Sequence, residues 1–248
     1  MSLLRTRFAR DIVAEYYAPK RPSNKVIIFC TGMPSMPKNQ DVVEFYGKRG
    51  YWVFYPRYRG SWESSGKFLK ISPHQDILDI IGQLSRGFID SFSRKKIKLK
   101  PKQIFLMGGS FSGPAVILAS RDKRVTKAVA RCPVVDWQSP SKEEPWDWLE
   151  TYVREAFDGA YRFDHKDWLK TGSGKFYNPA AVAETIDGGK LLLIHAKDDP
   201  IVAYRSVKKF AAATGSKLVT LPSGGHLSSQ IFLKPRFVKM ITKFFNNK

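Results

Sequence analysis

A chain of 248 residues can bury a large core and still remain one α/β domain, which is the expectation here for residues 1–248. It has no run of ~18 apolar residues, which excludes a membrane span. Arg5, Arg7 and Arg10 near the start, without an apolar stretch beside them, argue against a secretory leader, so a cytoplasmic location is expected. The net charge of +20 bears on solubility and on attraction to anionic surfaces, not on fold.

In chain order, Phe8–Tyr17 reads as an N-terminal edge strand. Val26–Cys30 is a continuous apolar run, as expected of a strand buried on both faces. A helix over Asp41–Arg49 follows, closed by Gly50, and then a strand, Tyr51–Tyr55, stopped by Pro56. Ile77, Ile80, Ile81, Leu84, Phe88 and Phe92 recur at steps of three and four, which predicts one helix over Pro73–Phe92 with Ser72 as its N-cap. Ile104–Met107 is a third buried strand, running into Gly108-Gly109-Ser110 and a helix over Gly113–Ser120. Strands over Ala128–Cys132, Leu191–Ala196 and Lys217–Leu221 alternate with helices over Tyr204–Ala213 and Pro235–Phe245. This alternation predicts a mostly parallel central sheet with helices on both faces, and its right-handed crossovers put all the parallel strand ends on one edge.

The stretch 133–179 interrupts the alternation. It carries its own helical pattern near Trp146–Phe157 and four of the six tryptophans, Trp137, Trp146, Trp148 and Trp168. Because it leaves a strand's C-terminal end, it is expected to form a small helical cap over the active edge. The densest positive stretch, Arg94 to Lys102, and the group Lys20, Arg21 and Lys25 both precede strands. They should therefore lie at the opposite edge as a solvated surface. No nucleic-acid-binding motif accompanies them, and no specific nucleic-acid binding is expected. Cys30 and Cys132 read as buried thiols. No CxxC or HExxH pattern is present, so neither metal nor cofactor is expected.

Three short motifs carry the chemistry. In Gly108-Gly109-Ser110-Phe111-Ser112-Gly113, between a strand and a helix, a nucleophile elbow needs small residues two before and two after the nucleophile. Ser110 has Gly108 and Ser112 there; Ser112 would have Ser110 and Pro114, a poorer fit. Ser110 is the better nucleophile. Leu191 to Val202 delivers Asp198 and Asp199 to a strand's C-terminal end, where an orienting acid must sit. Ser223-Gly224-Gly225-His226 presents an imidazole just after the last strand. The order Ser, Asp, His is that of one triad fold and differs from the others.

The chain resembles an α/β-hydrolase, most closely the catalytic domain of the prolyl oligopeptidase and acylaminoacyl-peptidase family. The likeness runs from about Lys25 to Gln230. It rests on Tyr58-Arg59-Gly60-Ser61, Gly109 to Gly113, Cys132 to Trp137, His195 to Val202 and Gly225-His226. The resemblance implies hydrolysis of ester or peptide bonds. It gives the triad acid to Asp199, with Asp198 as the fallback, and makes His195 structural. Family peptidases carry a large N-terminal propeller that admits short peptides only. About 25 residues precede the first core strand here, so that filter is expected to be missing, and a carboxylesterase is favoured over a short-peptide peptidase.

The expected oxyanion donors are the N–H groups of Phe111, after the nucleophile, and of Met33, in a Thr31-Gly32-Met33 loop that resembles a degenerate HG loop. Arg57 and Arg59, after a strand's C-terminal end, are candidates for binding a substrate carboxylate. His165 is expected in a solvated polar cluster and His74 in a helix's first turn. A reading of another class, a non-catalytic module using its basic surface, needs none of the triad residues.

Overall fold

In a computed structural model, residues 3–139, 141 and 143–247 are described. Pro140 and Lys142, inside the expected cap, lie outside them. Eight strands form one sheet. The parallel part comprises β3 (Lys25–Phe29), β4 (Trp52–Pro56), β7 (Gln103–Gly109), β8 (Lys127–Arg131), β9 (Leu191–Ala196) and β10 (Lys217–Leu221). β1 (Leu4–Phe8) and β2 (Ile12–Tyr17) add an antiparallel edge next to β4, giving the order β1-β2-β4-β3-β7-β8-β9-β10. The single edge strand expected over Phe8–Tyr17 is thus the second half of a hairpin. Its turn uses Ala9 and Arg10 at φ of 47° and 66°, a geometry usually signalled by Gly or Asn.

Successive residues of the central strands point to opposite faces, as the pleat requires. Ile28, Leu106 and Leu193 pack on α2 (His74–Leu84), α3 (Ser112–Ala119) and α6 (Tyr204–Thr214). Ile27, Phe105 and Leu192 pack on α1 (Gln40–Gly47) and α7 (Pro235–Asn246). Phe245 of α7 stacks on Phe105 with ring centroids 4.2 Å apart; truncating either ring should cost about 3–5 kcal/mol.

The long helix expected over Pro73–Phe92 ends at Leu84. Gly87, at φ 102°, redirects the chain into a hairpin of β5 (Phe88–Ile89) and β6 (Lys96–Ile97), and the Leu99 N–H caps the Leu84 carbonyl at 2.9 Å. Phe88 still reaches the core, but Phe92 is exposed at the hairpin tip. The basic residues of this hairpin and of the segments leading into β3 and β7 are mostly exposed, at the edge where the parallel strands begin.

The stretch 133–179 carries α4 (Trp146–Phe157), a short α5 (His165–Leu169) and single 3-10 turns. It docks on the loops after β3 and β4: Tyr161 bridges Ser61, and its hydroxyl donates to the Ser35 carbonyl at 3.1 Å. No helix among the described residues is long and apolar enough to cross a membrane.

Candidate active site

Ser110 follows β7 and precedes α3 at φ 53°, a left-handed backbone on a residue that is not glycine. Such strain marks a turn that the surroundings force. Its N–H donates to the carbonyls of Arg131 and Cys132, both at 3.1 Å, and its own carbonyl accepts from Gly113 and Val134. Gly109 permits this close crossing, because a Cβ there would lie 2.4 Å from the Arg131 carbonyl oxygen. Ser112 serves the turn instead of the chemistry. Its buried Oγ accepts from the Gly109 N–H at 2.7 Å, with the Cys30 carbonyl 3.0 Å away as acceptor.

Asp199 lies just past β9 with a fully buried side chain. One carboxylate oxygen accepts from the N–H groups of Ile201 and Val202 at 2.9 and 3.0 Å, and the other faces His226 Nδ1 at 2.9 Å. Burial works to raise the Asp199 carboxyl, but the hydrogen bond and charge of His226 and the Val202 N–H outweigh it and hold the group below the usual carboxylate range. An ionised carboxylate only accepts, so Nδ1 of His226 carries the proton and Nε2 is left as the ring's acceptor.

The neighbouring Asp198 has a different task. Its two oxygens accept from the N–H groups of Gly224 and Gly225 at 3.1 and 2.9 Å, fixing the loop that presents His226. The Arg131 guanidinium donates to the Leu227 carbonyl on the other side of that histidine. Ser110 and His226 face one cavity of about 340 Å3, together with Thr31, Gly32 and Met33. Among the described residues no hydrogen bond joins the Ser110 hydroxyl to the ring. Such contacts are commonly long until a substrate closes the site.

His195 is fully buried, and its Nε2–H donates to the Val202 carbonyl at 2.9 Å. Burial depresses its pKa, while the Val202 carbonyl and Asp199, whose Oδ2 is 3.4 Å from the same nitrogen, work to raise it. Heteroatoms of Cys132, His195 and Asp199 lie within 4.8 Å of one another, donor types that a metal would accept. Asp199 Oδ1 and His195 Nε2, however, are already engaged by the Asp199 loop at Ile201 and Val202.

The loop after β3 lies against Ser110: a Cβ on Gly32 would stand 3.6 Å from its Oγ. Neither the Phe111 nor the Met33 N–H is hydrogen-bonded to another described residue, which leaves both able to donate to a ligand. A second cavity of about 300 Å3 also opens on Ser110 and is walled by Trp137, Trp146, Leu149, Ile201 and Val202. Of the four tryptophans in 133–179, Trp137 and Trp146 line this space; Trp168 is buried and Trp148 is half-exposed.

Arg57 and Arg59 require a correction. Arg57 is buried and pairs with Glu15 at 2.8 Å and Glu63 at 3.5 Å. Arg59 pairs with Asp76, Asp79 and Asp11. Both guanidinium groups are therefore engaged by carboxylates of the fold, as the burial of Arg57 requires. Apart from Glu63, their partners stand between 17 and 48 residues away in sequence, which no local motif shows. His165 is exposed but pairs with the buried Glu150, and His74 opens α2. Sequence reasoning missed the work of Ser112, Asp198 and Arg131. Of these, Ser112 left a signal in the small-residue motif and Asp198 in its place beside Asp199 at a strand end; Arg131 left none.

A model of the prolyl oligopeptidase family matches residues 38–248. A comparison with curated protein sequences finds no match. Among solved structures, the chain is similar to an esterase of Pyrococcus furiosus, with 18% identity and a TM-score of 0.68 over 98% of this chain and 89% of that one. It is similar to an esterase of Thermogutta terrifontis, with 15% identity and a TM-score of 0.62 over 97% and 91%. It is also similar to the acylaminoacyl peptidase of Pyrococcus horikoshii, with 18% identity and a TM-score of 0.66 over 100% of this chain but 42% of that one. At these identities the likeness establishes the α/β-hydrolase fold alone.

Proposed function

The chain belongs to the prolyl oligopeptidase family of serine hydrolases, and from that premise we propose that it is a carboxylesterase-like enzyme working through Ser110, His226 and Asp199. The observation that carries this reading is the 2.9 Å contact of Asp199 with His226 Nδ1, at a cavity whose wall includes Ser110 on its strained turn.

In this mechanism His226 Nε2 takes the Ser110 proton as Oγ attacks the acyl carbonyl. Asp199 holds the tautomer and stabilises the imidazolium. The N–H groups of Phe111 and Met33 receive the oxyanion, each contributing about 3 kcal/mol to the transition state. The imidazolium protonates the leaving alcohol, and an acyl group remains on Ser110. Water, deprotonated by the same ring, then releases the acid.

Ester substrates are favoured in line with the two esterases among the similar structures. The apolar cavity beside Ser110 suits an acyl side chain. A fluorophosphonate probe is expected to label the protein, and Ser110→Ala to abolish labelling; an unlabelled wild type would overturn the proposal. Turnover of p-nitrophenyl esters beside aminoacyl-p-nitroanilides then separates esterase from peptidase.

A further inference from the structure

Met33, Ser110 and Glu144 each belong to the walls of both cavities, so they stand where the two spaces meet. Glu144 has no part in the mechanism above. Its N–H donates to Ser141 Oγ at 3.0 Å, and the residue is half-buried. Among the described residues no cation pairs with its carboxylate. The other acid of the apolar cavity, Asp136, already accepts from the Gln138 N–H and from Asn178. Burial pushes the Glu144 carboxyl above its ordinary range, with Asp199 adding to the effect and His226 opposing it. A half-buried carboxylate without a counter-ion among the described residues is well placed to take one from a ligand.

We infer that Glu144 recognises a substrate ammonium group, and that the preferred substrates are α-amino acid esters or amides with an unblocked amine and an apolar side chain. This inference rests on the proposed function. The α-carbon of such a substrate carries three unlike groups, and three unlike features meet here. The carbonyl sits on Ser110, the side chain enters the cavity of Trp137, Trp146 and Leu149, and the ammonium meets Glu144. The leaving group extends past His226 into the cavity of about 340 Å3 that this ring lines.

The test compares kcat/KM for L-leucine ethyl ester and N-acetyl-L-leucine ethyl ester. In the wild type the unblocked ester should be favoured at least about tenfold, the scale of one charge-assisted contact. Glu144→Gln should collapse that ratio toward one, while Glu144→Asp, which keeps the charge, should restore most of it. A change confined to structure would move both esters together and leave the ratio in place. A wild-type ratio near one, or a ratio that Glu144→Gln leaves unchanged, overturns the inference; the wild-type ratio decides alone if the variant does not fold. p-Nitrophenyl butyrate separates the two readings. Ser110-dependent turnover of it with a ratio of one sinks only this inference. No Ser110-dependent turnover of any ester sinks the proposed function.

Discussion

Ser112 Oγ lies 3.0 Å from the Cys30 carbonyl and accepts the Gly109 N–H at 2.7 Å, so one hydroxyl ties the turn of the nucleophile to the strand that leads into the Thr31–Met33 loop. Ser112→Ala should therefore loosen both together. Because it leaves a buried N–H without its acceptor, it should cost about 1–3 kcal/mol of stability. Fluorophosphonate labelling should persist at a reduced rate. Complete loss of labelling in a folded Ser112→Ala variant would move the nucleophile's role away from Ser110.

Adjacent carboxylates make a paired comparison. Asp199→Asn presents an amide to Nδ1 and favours the wrong tautomer, so kcat should fall on the order of 10^4-fold. Asp198→Asn keeps one acceptor for the Gly224 and Gly225 N–H groups, and its loss should stay near tenfold. Steady-state kinetics on a p-nitrophenyl ester reads both. Equal losses would mean that ring and loop depend on the two acids alike, against the division of labour drawn here.

Gly32 offers a steric test of the proposed oxyanion loop. An added Cβ would lie 3.1 Å from Ser110 Cβ, so the loop or the serine must give way by a few tenths of an ångström. Gly32→Ala should lower kcat by about one to two orders of magnitude, the scale of one displaced oxyanion donor or a small misplacement. Its melting temperature should stay close to that of the wild type. Unchanged kcat would place the oxyanion elsewhere.

Acid should weaken the fold through His74. Burial and the nearby Arg121 push this imidazole down to about 4 from an ordinary 6.5. Between those values the unfolded chain binds a proton that the folded chain refuses, so stability falls as pH drops from 6.5 to 4 and levels off below. The window corresponds to about 3 kcal/mol at most. Asp76, raised to about 6 by burial, acts in the opposite sense over part of this range. The comparison is therefore wild type against His74→Gln, by urea denaturation at pH 7, 5.5 and 4. The variant should lose less stability on acidification; parallel curves would contradict the assignment.

The parallel strands were legible because burial on both faces writes them as unbroken apolar runs, and the β9 and β10 boundaries match the expected ones. The turn at Ser110 was legible because close backbone crossing demands small residues at fixed offsets. Other features depend on contacts that spacing does not encode. Phe88 continues the helical period from Leu84, yet Gly87 bends the chain and a different element delivers the same ring to the core. The Ala9-Arg10 turn has no glycine to announce it. Glu144 sits in a loop with no local motif, and its place at the junction exists only once β7, β9 and the cap are assembled.

The lysines that crowd the start of β7 have a practical consequence. Five to seven strand residues separate that rim from Ser110, about 20 Å, twice the screening length at ordinary ionic strength. Salt should then leave turnover of a neutral ester nearly untouched. A sulfonated bead would capture the molecule by its cationic rim, with the reactive opening turned toward the liquid, an oriented immobilisation that needs no tag.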